Sequence, residues 1–205
     1  MTLYRLIDRT AAIGLGMAVL APDAGASAGT PHAGTVPTMQ EDQVRRSPDI
    51  RWAPGFDPAT ADLFAHNELL IRAPCDTVFG HIADATRWPA WYANAAGIRI
   101  LGGGTTLAPG NRFRWTTFGL HIESTVHEFE PGRRIGWYGS VPGRQPTFYH
   151  AWYLAPVPGG CLTIMEEVGK GADAAHLRST DESLMHRGHD LWLAGLRWMS
   201  ESRGG

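Results

Sequence analysis

Lysine is almost missing from this chain. Of its 18 basic side chains only Lys170 is not an arginine, acidic residues number 20, and the formal net charge is −2. No dense basic run occurs, which argues against nucleic acid as a partner. There are no internal repeats, and no low-complexity tract supports a functional claim. Cysteine is scarce too, at Cys75 and Cys161 alone. What is abundant is apolar and aromatic bulk. With 205 residues, 43% of them hydrophobic, the chain can bury one sizeable core, and its charged fraction argues against disorder over most of its length.

The N-terminal segment reads as an export signal. Arg5 and Arg9 precede an apolar run from Ala11 to Ala21, and Ala26-Ser27-Ala28 has the small-x-small pattern of a cleavage site. The run is too short for an ordinary membrane span. An attached apolar helix is the other reading, which Asp8 favours. Residues 1–28 are thus expected to be a signal peptide, placing the mature chain in a periplasmic or extracellular space with no integral membrane segment. Residues 29–65 are rich in Pro, Gly and small polar residues and read as a linker or arm, whose second half Trp52 and Phe56 can pin to a domain surface.

The main domain is expected over residues 66–201, with 202–205 as a tail. Its organising element is a helix from Ser179 to Ser200. Met185, His189, Trp192, Leu196 and Met199 form one stripe at helical spacing, and Leu184, Leu191 and Trp198 an adjoining one. Ser179 followed by Glu182 has capping-box spacing. His189 stands out as a polar ring amid the apolar face.

Before this helix the texture is that of strands. His66–Ala73 reads as the first, followed by a short helix from Asp76 to Ala83 and a second short helical segment over Asp84–Tyr92. Six more strands, separated by Gly and Pro turns, are expected near 98–101, 111–118, 120–130, 134–139, 147–155 and 161–169. The order is β, αα, six β, α. An antiparallel sheet bent around one amphipathic helix buries both apolar faces, and side chains this large seldom tile the curved space completely. A cavity between sheet and helix is the expected by-product.

Several stretches carry a family resemblance: IRAPCDTVFGHIADATRWPAWY (Ile71–Tyr92), FRWTTFG (Phe113–Gly119), HEFEPGRRIGW (His127–Trp137), YHAWYL (Tyr149–Leu154), MEEVGKG (Met165–Gly171) and HRGHDLWLAGL (His186–Leu196). In this order they resemble the START-like SRPBCC superfamily, most closely its polyketide cyclase/dehydrase-type branch. The resemblance implies an α+β helix-grip fold: a seven-stranded curved antiparallel sheet around a long C-terminal helix, with two short helices after the first strand and a deep ligand cavity. It brings no universal catalytic triad.

If the last two strands pair symmetrically about Pro158, Trp152 faces Ile164 and His150 faces Glu166. A one-residue slip substitutes Glu167. His150 and Glu166 together are an acid/base pair suited to a cyclase or dehydratase. Equally they are a structural hydrogen bond, or Glu166 faces solvent. The expected cavity lining is Trp115, Val126, Trp137, His150, Trp152, Ile164, Glu166, Met185, His189, Trp192 and Leu196. Trp88, Trp91 and Tyr92 are the expected gate, near a mouth loop at residues 139–146, a placement taken from the resemblance. His186 and His189 are three apart, but with no third ligand evident the expectation is no metal and no cofactor. In a helix-grip sheet the first and last strands are antiparallel neighbours, which would bring Cys75 and Cys161 within disulfide reach.

Three functions follow. The leading one is binding of a lipid-, polyketide- or aromatic-like small molecule in the cavity. The second is a cyclase/dehydratase-type enzyme acting through His150 and Glu166. The third, a protein-interaction module like the chaperone activators of the superfamily, requires a large exposed apolar patch outside the cavity.

Overall fold

The structure, a computed structural model, describes residues 36–145 and 147–202. The export signal expected over 1–28, Pro146 of the expected mouth loop and residues 203–205 of the tail lie outside the described residues. Among the described residues no helix is long and apolar enough to cross a membrane.

Seven strands build one antiparallel sheet: β1 (Leu63–Ile71), β2 (Ala96–Leu101), β3 (Arg112–Thr117), β4 (Leu120–Glu130), β5 (Arg134–Ser140), β6 (Phe148–Val157) and β7 (Gly160–Gly169), in the spatial order β1-β7-β6-β5-β4-β3-β2. Because β1 closes onto β7 while β2 to β7 form a meander, the chain must cross from one edge of the sheet to the other after β1. Helix α2 (Cys75–Ala83) and a 3₁₀ helix at Ala85–Ala90 make that crossing. Val78, Phe79 and Ile82 of α2 are buried under the sheet, and Trp88 of the 3₁₀ helix, wholly buried, packs edge-on against Phe113, Trp115 and Trp192. Burying each such side chain contributes about 1.5–3 kcal/mol. The α+β helix-grip architecture is therefore present in full.

The register of the last hairpin differs from the symmetric expectation. Val157 pairs with Gly160 across a two-residue turn, Pro158-Gly159, so His150 lies opposite Glu167 and Ala151 opposite Glu166. Proline fixes the first turn position and Gly159 takes φ +95°, which a glycine adopts without penalty. Since side chains alternate across a strand, this one-residue slip sends Met165 and Glu167 to the inner face and Ile164, Glu166 and Val168 to the outer one.

The outer face is not left to solvent. The Pro-rich segment expected as a linker carries a short helix, α1 (Met39–Arg45), capped by reciprocal hydrogen bonds between Thr38 and Glu41, and then an irregular strap. Met39, Ile50, Ala53 and Phe56 are buried against Phe64, Tyr149, Ala151, Tyr153, Ile164 and Val168. Trp52 meets Phe64 and Tyr149 edge to face. The strap is also tied by polar groups. The amide of Ser47 donates to Glu166 Oε1 at 2.5 Å, His66 Nδ1 lies 2.6 Å from the same oxygen, and the buried Arg134 donates to the carbonyl of Asp49.

The C-terminal helix begins later than its sequence suggests. A separate helix, α3 (Gly171–Thr180), precedes α4 (Leu184–Glu201). Ser179 therefore sits in the last turn of α3, bonded to the carbonyl of His176, and Glu182 accepts the amide of Met39 at the start of α1 instead of closing a capping box. On α4 the stripe of Met185, His189, Trp192 and Leu196 is buried, whereas Leu191 and Trp198 of the adjoining stripe are exposed. Cys75 and Cys161 are joined, their Cα atoms 5.0 Å apart, linking the start of α2 to the start of β7.

Candidate functional site

A cavity of about 180 Å³ lies between the inner face of the sheet and α4. Its buried wall consists of Trp115 of β3, Trp137 of β5, His150 of β6, and Met185, His189 and Trp192 of α4, with Tyr92 stacked flat on Trp192 at 4.4 Å between ring centres. Half-buried or exposed residues form the rim: Phe118 and Leu120 at the β3–β4 turn, Ile122, Phe148, Leu177 of α3 and Leu184. Phe118 has φ 50°, uncommon for a residue other than glycine, and its ring fills the space beside Gly188 of α4 that a side chain there would need.

The structure thus gathers six residues of the expected lining, and distributes the others. Val126, Trp152 and Leu196 are buried deeper in the same core without bordering the cavity. Ile164 and Glu166 face the opposite side of the sheet, beneath the strap, for the register reason given above. Of the expected gate residues only Tyr92 borders the cavity. Trp88 is core, and Trp91 packs on α4 where Gly195 lets its carbonyl approach to within 2.3 Å of an added Cβ. Phe118, Leu120 and Leu177 at the rim lie outside the lining that the sequence predicts. The Phe118-Gly119 turn between two aromatic-rich strands was the available clue.

The carboxylate and the two imidazoles on this wall are concentrated in one place. Glu167, 14% exposed, lies within hydrogen-bond distance of both imidazoles through Oε2, with His150 Nδ1 at 3.0 Å and His189 Nε2 at 3.1 Å. Burial alone would push its carboxyl up, but the hydrogen bonds and charges of His150 and His189 outweigh that and hold it at about 2. His150 is stacked on Trp137 with 4.7 Å between ring centres, and its burial depresses its pKa more than Glu167 raises it. His150 therefore pairs with Glu167 and not with Glu166. His186, one turn before His189, points away and bonds Asp42 of α1 at 2.9 Å, so the His186/His189 pairing considered from sequence does not form. The donor atoms of His150, Glu167 and His189 lie within 4.8 Å of one another.

Chemically, the arrangement is an apolar slot with a carboxylate and two imidazoles on its wall. It can accommodate a hydrophobic body and meet one oxygen or nitrogen of it with a charged or hydrogen-bonding partner.

Comparison with known proteins agrees with this fold. None of the proteins with curated descriptions matches the sequence. Among solved structures, the hypothetical protein jhp0584 of Helicobacter pylori is 28% identical, with TM-score 0.69, covering 76% of this chain and 98% of its own. The di-domain ARO/CYC StfQ of the steffimycin biosynthetic pathway is 16% identical, with TM-score 0.56, over 70% of this chain and 53% of its own. Protein CV1439 of Chromobacterium violaceum is 16% identical, with TM-score 0.52, over 68% and 98%. The latter two share the fold. A family model described as polyketide cyclase / dehydrase and lipid transport matches residues 66–187, more than half of the chain, from the middle of β1 into the first turn of α4. The chain belongs to that family, within the SRPBCC superfamily.

Proposed function

We propose that the protein binds a small hydrophobic molecule in the cavity between sheet and α4, holding a polar atom of that molecule against His150, Glu167 and His189. The observation that carries this reading is the segregation of the wall: aromatic and aliphatic side chains over most of it, with the carboxylate and both imidazoles in one cluster. A volume of about 180 Å³ compares with the ~150 Å³ apolar cavity that accepts benzene. One or two rings, or a short aliphatic chain, fill the enclosed part, and the rim at Phe118, Leu120 and Leu177 lets a larger aromatic body project from it. The Cys75–Cys161 bond supports an oxidising compartment, in keeping with the export signal expected over residues 1–28.

Filling the slot tests the reading. Ile122 projects from β4 into it, and Ile122→Trp should weaken binding of an apolar fluorescent probe such as 8-anilinonaphthalene-1-sulfonate by at least ~10-fold, a loss of ~1.4 kcal/mol. Thermal unfolding of the variant checks that the fold survives. Unchanged probe affinity in a folded variant would rule the cavity out as the binding site.

A second reading, a cyclase or dehydratase, is favoured by the two imidazoles on one carboxylate, a constellation suited to moving a proton beside a carbonyl. It replaces the expected His150–Glu166 pair with His150–Glu167. The family description covers both catalysis and transport, so the site must decide between them. Turnover of a bound ligand that is lost in Glu167→Gln would favour the enzyme; binding without product formation in the parent protein would favour the carrier.

A further inference from the structure

The hydrogen-bond pattern around His189 sets its Nε2 directly against the Glu167 carboxylate. Asn67 of β1 donates through Nδ2 to the carbonyl of His186 at 3.1 Å and to Asp190 Oδ1 at 2.8 Å. Both partners only accept, so the amide orientation is fixed and its Oδ1 must face His189 Nδ1, at 3.1 Å. Nδ1 then carries a proton. The other nitrogen, Nε2, stands 3.1 Å from Glu167 Oε2. If it presents a lone pair, that lone pair faces a carboxylate oxygen at a distance where the two repel. Either a second proton or a metal ion must occupy that line.

The geometry points to a divalent transition-metal site formed by His150 Nδ1, Glu167 Oε2 and His189 Nε2. An ion with bonds of ~2.0–2.1 Å has neighbouring ligand atoms ~2.9–3.4 Å apart in octahedral or tetrahedral arrangement. The two nitrogen–oxygen separations, 3.0 and 3.1 Å, fall in that interval; the His150 and His189 nitrogens lie within 4.8 Å of one another and must stand no more than ~4.2 Å apart to share one ion. The ligands come from β6, β7 and α4, elements fixed by sheet pairing and core packing. His189 has the oriented partner that metal-bound imidazoles commonly have, Asn67 on its remote N–H. Two imidazoles and one carboxylate suit zinc or ferrous iron better than calcium or magnesium, which prefer all-oxygen sites. Three protein ligands leave coordination positions free on the cavity side, where they would take an oxygen donor: a carbonyl, phenolate or carboxylate of a hydrophobic ligand. Only this choice of ligand class rests on the binding role proposed above; the ion site itself does not.

Zinc titration of chelator-treated protein, read by competition with a chromophoric chelator, tests this directly, and the visible absorption of cobalt(II) reports the ligand set. One ion per chain is expected. His189→Ala and Glu167→Gln should each weaken uptake by about 100-fold or more, and Asn67→Ala by about 10–100-fold through loss of the oriented imidazole. His176→Ala, at an exposed histidine of α3, should leave uptake unchanged. Glu167→Gln conserves shape, and thermal unfolding shows whether each variant is folded. Absence of stoichiometric uptake, or uptake that His189→Ala and Glu167→Gln leave unaltered, would overturn the site and assign the shared cation as a proton. Probe binding by the metal-free protein, measured alongside, separates this outcome from failure of the cavity reading.

Discussion

Glu166 and Glu167 are adjacent in sequence and serve opposite sides of the sheet. Glu166 holds His66 and the Ser47 amide beneath the strap, while Glu167 joins the two cavity imidazoles. No property of either side chain alone distinguishes them; the backbone register does. Tyr92 shows how burial acts on a single group of the cavity wall. Stacked on Trp192, its phenol is pushed up to about 12 by desolvation, which outweighs the hydrogen bond it accepts from Asn94. The unfolded chain ionises this group near pH 10 and the folded one does not, so the unfolded state binds fewer protons in that interval. Stability is intact below about pH 10 and falls as pH rises through about 12. Urea unfolding across this range should show the decline, and Tyr92→Phe should flatten part of it. Tyr149, also shifted upward by burial, keeps the remainder.

At the scale of elements, close backbone approach outranks helix propensity on α4. Replacing a helical glycine by alanine ordinarily stabilises a helix by about 1 kcal/mol. Gly195 is an exception, because a Cβ there would meet the Trp91 carbonyl at 2.3 Å, and backbone cannot swing aside. Gly195→Ala is expected to destabilise the protein by about 1–3 kcal/mol, as overpacking does, measurable as a lower urea midpoint at unchanged slope. The strands and α2 were legible because their apolar periods and Pro/Gly punctuation are local. So were His150, Met185, His189 and Trp192 as cavity residues, since each lies on an element whose buried face its own neighbours define. The β6–β7 register was not, because both faces of β7 are apolar: Met165 and Cys161 on one, Leu162, Ile164 and Val168 on the other. Hydrophobic patterning selects a register only where one face is wet. The start of α4 was misplaced for a related reason: Ser179 and Glu182 have the spacing of a cap, but their partners come from α3 and α1, remote information that spacing does not contain.

In the molecule as a whole, the sheet is covered on both sides, by α2, the 3₁₀ helix and α4 within and by the strap without. The strap explains why so short a domain carries apolar residues on both faces of β6 and β7. In the sequence only Trp52 and Phe56 mark it, as large apolar residues among prolines that can pin to a domain surface; Met39, Ile50 and Ala53 have no period to set them apart. The Cys75–Cys161 bond spans 86 residues and links the crossing helix to the last hairpin. Replacing both cysteines by alanine should lower unfolding free energy by about 2–4 kcal/mol, and adding reductant to the parent should reproduce the loss. The central claim, a ligand cavity enclosed by α4 and the inner face of the sheet, is tested most directly by the indole ¹H–¹⁵N resonances of the tryptophans during titration with 8-anilinonaphthalene-1-sulfonate. Trp115, Trp137 and Trp192 border the cavity, whereas Trp52 lies on the strap and Trp198 on the exposed side of α4. The account predicts saturable shifts at the first three with the last two stationary; shifts confined to Trp52 or Trp198, or none at saturating probe, would contradict it.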